Sequence, residues 1–152
     1  MPGNDFSKAK ETISKIANLF KSCGYPAEVI KTYFPIDFCF EGLKFSFFLP
    51  LVIKDFQRVF LVLDYKPAGL ASYERGLLAL ARSYFSPTPA LAIVTNGEEA
   101  IKIEVGSGKT AKGALKELIP KFEELKNWEI PNISEERLEK ERRLLYVYLS
   151  GG

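Results

Sequence analysis

The chain has no histidine and only two cysteines, Cys23 and Cys39, outside any Cys-x-x-Cys spacing. A structural zinc site needs four such ligands, so that class falls away. Without histidine, Ser-His-Asp and Cys-His catalysis fall away as well, and any chemistry must come from carboxylates, lysines or a metal. A long apolar run is also missing: nothing approaches the roughly 20 residues that span a bilayer. The opening MPGNDFSKAK has no apolar signal core. These absences predict a cytoplasmic protein with no membrane partner. Charge of one sign is scarce too. A formal net charge of +2 raises no broad basic field, so a nucleic-acid surface would have to come from local clustering.

What the chain has is the material for one core. Its 152 residues, 47% of them hydrophobic, suit a single domain over 1–152 that buries about two-thirds of its unfolded surface. Ile13, Ile16, Ala17 and Phe20 recur at helical spacing between Phe6 and Ser22, with Asn4 or Asp5 as cap and Gly24 as stop. A helical turn opened by Pro26 follows, through Lys31. Three β-rich runs come next, TYFPIDFCFEG, LKFSFFLPLVI and RVFLVLDYK. Glu41-Gly42 and the stretch from Lys54 to Gln57 join them, which predicts an antiparallel meander. Pro50 removes a ladder donor from the second run, so that strand should lie at an edge, bend or carry a bulge.

Ser72 offers a cap for a helix through Tyr84, stopped by Ser86-Pro-Thr-Pro89. ALAIVT, Asn96-Gly97 and AIKIEV then return the chain to the sheet after a strand-helix-strand crossover, with Asn96-Gly97 read as a type I′ turn. Beyond Gly108 the pattern reads as helical, broken at Pro120 and Pro131, with Trp128 as an apolar anchor. A last helix is predicted at about 134–149, with Glu135 and Glu136 in its first turn. Leu138, Leu145 and Leu149 should face inward and the charged run around Arg142 and Arg143 should be a solvated face. The resulting fold class is α/β, a mixed sheet flanked by helices.

Two segments invite chemistry. Asp64 and Lys66 end a buried strand and are two apart, so both point to one side while Tyr65 points to the other. Such a pair can hold a divalent metal through the carboxylate and steady a phosphate with the ammonium; it can equally be a salt bridge at a strand end. Gly106-Ser-Gly-Lys-Thr110 is spelled like a phosphate-binding loop, yet the glycine that the pattern needs five residues before Gly108 is Ile103. A Gly-rich β-turn is the better reading there, with a nucleotide hydrolase as a distant alternative.

Taken together, Glu11 on the early helix, Cys23-Gly-Tyr-Pro26, the meander ending in Asp64-Tyr-Lys66, YERGLLALAR, VTNGEEA and the closing EKERRLLY resemble the N-terminal nuclease domain of type I restriction enzyme R subunits. That domain is a branch of the PD-(D/E)XK nuclease superfamily, and the resemblance extends to small stand-alone bacterial forms. It implies a restriction-endonuclease-like core and Mg²⁺-dependent cleavage of DNA. Asp64 and Glu11 would hold the metal, Lys66 would assist the attacking water, and Lys66 with Arg75 would contact nucleic acid. The acid that the family carries on the second strand is missing. It should fall near Pro50, but Phe45 to Ile53 contains no carboxylate, and Asp37 and Asp55 are the nearest. The combined expectation is a degenerate nuclease-fold protein that binds nucleic acid or a protein partner, with a Mg²⁺-dependent DNA endonuclease as the alternative.

Overall fold

The computed structural model describes residues 2–151, with side chains from Ser7 to Gly151. Helix α1 (Pro2–Ser22) leads through a single 3-10 turn (Ala27–Val29) into the meander β1 (Ile30–Phe40), β2 (Leu43–Asp55) and β3 (Arg58–Tyr65). Helix α2 (Ala71–Tyr84) carries the chain to β4 (Leu91–Thr95), followed by β5 (Glu99–Glu104) and β6 (Thr110–Ala114). Two short helices, α3 (Leu115–Leu118) and α4 (Phe122–Lys126), precede the C-terminal α5 (Glu135–Leu149). The six strands form one sheet in chain order. Only β3 and β4 run parallel, because α2 is the crossover between them; every other neighbour pair is antiparallel. The fold is thus α/β, with helices on both faces of a mixed sheet.

Strand alternation divides the core in two. Leu61 and Leu63 of β3, with Leu91 and Ile93 of β4, pack against Ile16 and Phe20 of α1. Val62, Ala92 and Val94 face the other way, against Leu77, Leu80 and Leu145 of α2 and α5. The end of α1 explains Cys23-Gly-Tyr-Pro26. Gly24 takes φ +93°, its N–H donates to Lys21 and the Tyr25 N–H donates to Phe20, which is the left-handed glycine cap with its crossed bonds. The Tyr25 ring then meets Phe20 edge-on at 5.0 Å between centroids. Asn4 and Asp5, expected to cap α1, fall inside the helix, and their side chains lie outside the described residues.

Pro50 lies where β2 becomes an edge: from Leu51 on the strand runs between β1 and β3, whereas from Leu43 to Pro50 it pairs with β1 alone. It also marks a change of face. Leu51 and Ile53 pack toward α1, whereas Leu49 and Phe47 pack toward α2 and α5. Tyr33, between the paired residues Thr32 and Phe34, has φ +53°, so both strands of the β1–β2 ribbon turn over at one level.

Several expectations from local spacing are corrected. Ser72 does not cap α2; Leu70 occupies the cap position without a side-chain bond. Asn96-Gly97 is not a type I′ turn, because only Gly97 has a positive φ; Asn96 Oδ1 instead accepts the N–H groups of Glu98 and Glu99 at 2.9 and 2.8 Å. The segment after Gly108 enters β6 before any helix. That strand, TAKGA, is short, polar and at the sheet edge, so it carries no apolar period to announce it. Gly106 to Lys109 therefore closes a β-hairpin, with the Glu104 N–H donating to Lys109 at 2.9 Å. No helix begins behind it, and the strand-loop-helix setting of a phosphate-binding loop is not formed. Trp128 remains 39% exposed and anchors little. The C-terminal helix begins as predicted behind Ser134, whose hydroxyl accepts the Arg137 N–H at 3.2 Å.

Candidate functional site

Asp64 shares the α2/α5 face with Val62, and Tyr65 turns toward α1, as β alternation requires. Lys66 stays in line beyond the strand end because its N–H donates to the Thr95 carbonyl at 2.9 Å. The two charges meet loosely, Lys66 Nζ to Asp64 Oδ2 at 3.8 Å, and the ammonium also lies 4.6 Å from the centre of the Tyr73 ring. They stand at a cavity of about 260 Å³ walled by Phe47 and Leu49 of β2, Leu77 and Leu80 of α2, and Leu145 and Tyr148 of α5. A larger cavity of about 730 Å³ lies on the α1 face, against Lys8, Thr12, Lys15 and Tyr65; neither Asp64 nor Lys66 borders it.

Burial raises the Asp64 carboxyl above the usual aspartate range, and the adjacent Lys66 ammonium opposes that rise without cancelling it. The Tyr148 phenol is pushed up to about 12, first by burial and then by the negative charge of Asp64. Tyr148 sits so closely over α2 that a Cβ added at Gly76 would fall 2.4 Å from its ring. Gly76 is therefore the notch that lets α5 reach the Asp64 cavity.

The other sequence-derived candidates do not converge here. Glu11 extends from α1, across the sheet from Asp64; its carboxylate is 69% exposed and pairs with Lys15 at 3.5 Å. Asp37 accepts the Ser46 hydroxyl at 2.6 Å on the β1–β2 ribbon. Asp55 pairs in register with Arg58 at the opposite end of β3, about 20 Å away along the strand. Continuing the β2–β3 register by one residue past Leu51↔Leu63 puts Pro50 level with Asp64, so a proline and not a carboxylate stands beside it on β2. Mg²⁺ needs a carboxylate pair or a carboxylate with substrate phosphate. Asp64 brings one carboxylate to such a site, partly desolvated and already matched to a lysine. Among the described residues no three His, Cys, Asp or Glu side chains gather at a common point.

Arg75, which the resemblance would set against nucleic acid, pairs with Glu141 of α5. Glu141 is fully buried, and its second oxygen takes Arg82 Nη1 at 2.8 Å. Arg82 continues to the Val105 carbonyl at 2.8 Å and the Gly106 carbonyl at 3.3 Å, tying the β5–β6 hairpin to α2 and α5. The two guanidiniums hold the Glu141 carboxyl below its usual range against the opposing effect of burial. Sequence reading placed this charged run on a solvated face. The overlooked signal is phase: Glu141 lies three residues after Leu138 and four before Leu145, within the inward stripe. Arg142, in the same run, donates to the Cys39 carbonyl at 2.9 Å and covers the Phe38 ring, while Arg143 pairs with Glu139 at 3.2 Å.

No family model, curated protein or solved structure matches this chain. No helix among the described residues is long and apolar enough to cross a membrane.

Proposed function

We propose that this chain is a degenerate nuclease-fold protein, one that keeps a restriction-endonuclease-like core and uses it to bind nucleic acid or a protein partner instead of cleaving DNA. The order of elements supports the core: a helix, a three-stranded meander, a crossover helix and a parallel strand, with Asp64 and Lys66 on the third strand. The observation that carries the loss of cleavage is the solitary state of Asp64. Its nearest charged neighbour is Lys66, Pro50 stands where a second acid is needed, and Glu11 is on the far side of the sheet. Metal-assisted hydrolysis of a phosphodiester needs a cation held against the scissile phosphate, and a lone carboxylate supplies too little of that cage.

Calorimetric titration of Mn²⁺ into the wild-type protein and Asp64→Ala tests this reading. The expected result is no saturable binding to either protein at millimolar metal. Micromolar binding abolished by the substitution would overturn it in favour of a Mg²⁺-dependent DNA endonuclease. That second reading draws on the placement of Asp64 and Lys66 on one side of the strand end, and a plasmid-nicking assay with Lys66→Ala would then follow.

A further inference from the structure

Strand β2 outruns its neighbour on one side. It pairs with β1 from Leu43 to Ile53, yet with β3 only from Leu51 to Asp55. Pro50 contributes to the break because it has no N–H to give to a neighbouring strand, and Pro67 follows just after Lys66. Leu43 to Pro50 is left with one free edge.

The orientation of that edge follows from β1. The Asp37 N–H donates to the Tyr84 hydroxyl and the Cys39 carbonyl accepts from Arg142, so both residues direct their backbone groups away from β2. Directly opposed residues of an antiparallel pair either bond to each other or both turn away. Ser46 and Lys44 oppose Asp37 and Cys39, so their N–H and C=O groups point to the free edge, as do those of Phe48 one period on. Among the described residues, nothing outside the β1–β2 pair bonds to the backbone of these three. The edge ends at the Asp64–Lys66 cavity, whose wall includes Phe47, Phe48 and Leu49, and Phe48 is 64% exposed.

We propose that Leu43–Pro50 receives an extended peptide from a partner protein as an added antiparallel strand in line with β3. This rests on reading the chain as a binding module and names the class of partner. Donors and acceptors alternating at strand spacing are complemented by another peptide backbone. Side chains of the added strand would alternate as those of β2 do. The one opposite Phe47 faces the cavity and is apolar; the one opposite Lys44 faces outward and is acidic, because Lys44 is 63% exposed and only loosely matched by Asp37 at 3.9 Å.

Amide hydrogen exchange measured by NMR gives the first test. In the free protein the Ser46 and Phe48 amides exchange quickly, while those of Phe45 and Phe47, bonded to β1, exchange slowly. The probe is an acetylated Glu-Val-Glu-Val-Glu-Val-Glu peptide, with two control copies N-methylated at the valines or at the glutamates. The unmethylated peptide is expected to protect Ser46 and Phe48. The copy methylated on the paired side, and the variant Ser46→Pro, should each lose about tenfold or more in affinity through the missing backbone bonds. Slow exchange of Ser46 and Phe48 in the free protein would overturn the proposal, as would failure of the peptide at millimolar concentration to protect them. Protection by a short single-stranded oligonucleotide in place of the peptide would also overturn it. Loss of peptide binding alone, with Mn²⁺ still unbound, removes this inference and leaves the non-cleaving reading standing. Mn²⁺ binding that depends on Asp64 removes that reading whatever the peptide does.

Discussion

Two carboxylates lie beneath α2 and α5, and their surroundings push them in opposite directions. Glu141 is fully buried yet held ionised, because Arg75 and Arg82 each reach one of its oxygens. Asp64 is less deeply covered, with 25% of its side chain exposed, yet its ionised form is disfavoured because a lysine at 3.8 Å recovers less than desolvation removes. Depth of burial does not decide the charge state; the number and fit of the donors do. The difference assigns the tasks. Glu141 joins two helices and a hairpin, whereas Asp64 keeps an unspent carboxylate beside a cavity.

Removing the clamp is the most severe way to break this contrast. Glu141→Ala leaves Arg82, itself only 6% exposed, as an uncompensated buried cation. The expected loss is about 3–5 kcal/mol of unfolding free energy, read by urea denaturation; a loss below 1 kcal/mol would show that water already serves those guanidiniums.

A smaller effect is expected from closing the notch under Tyr148. Gly76→Ala puts a methyl into the space of the ring, and overpacking of this kind costs about 1–3 kcal/mol. The same denaturation series checks it, and Gly76→Ala with Tyr148→Ala should recover most of the loss.

The smallest effect separates the two carboxylates by pH. Glu141 has a lowered folded pKa, so its contribution is complete above the usual glutamate value of 4.5 and is lost as pH falls through the folded value. Asp64 has a raised one, so its contribution is complete below the usual aspartate value of 3.8 and is lost as pH rises through the folded value. Glu141→Gln should therefore cost most at neutral pH and progressively less in acid. Asp64→Asn should be neutral or stabilising by within about 1 kcal/mol at neutral pH, and this advantage should vanish in acid. Thermal melts of the three proteins at neutral and acidic pH check both slopes; parallel curves would erase the distinction.

Much of the fold is legible in local spacing. Ile16 and Phe20 at helical intervals place the inner face of α1, Leu61 and Leu63 against Val62 and Asp64 set the two faces of β3, and Ser134 marks the start of α5. The candidate site is legible in part: Asp64 and Lys66 share a side because strand periodicity alone requires it. Glu11 could not be judged in that way. Whether a helix acid reaches a strand acid depends on which sheet face the helix covers, and residues 11 to 20 look the same in either arrangement. Arg75 is similar, since its partner lies in another helix 66 positions along the chain.

The amino-acid sequence by itself determined the order of the main helices and strands as far as β5 and the C-terminal helix, the side on which Asp64 and Lys66 emerge, and the absence of a carboxylate from Phe45 to Ile53, because each depends on neighbours a few residues away. Only the tertiary structure decided that Glu141 is a buried clamp, that TAKGA completes the sheet, that Glu11 and Asp64 are kept apart, and that the first half of β2 is paired on one side only. Those outcomes depend on which distant surfaces pack together, and packing responds to shape and desolvation across the whole chain, which no local period encodes.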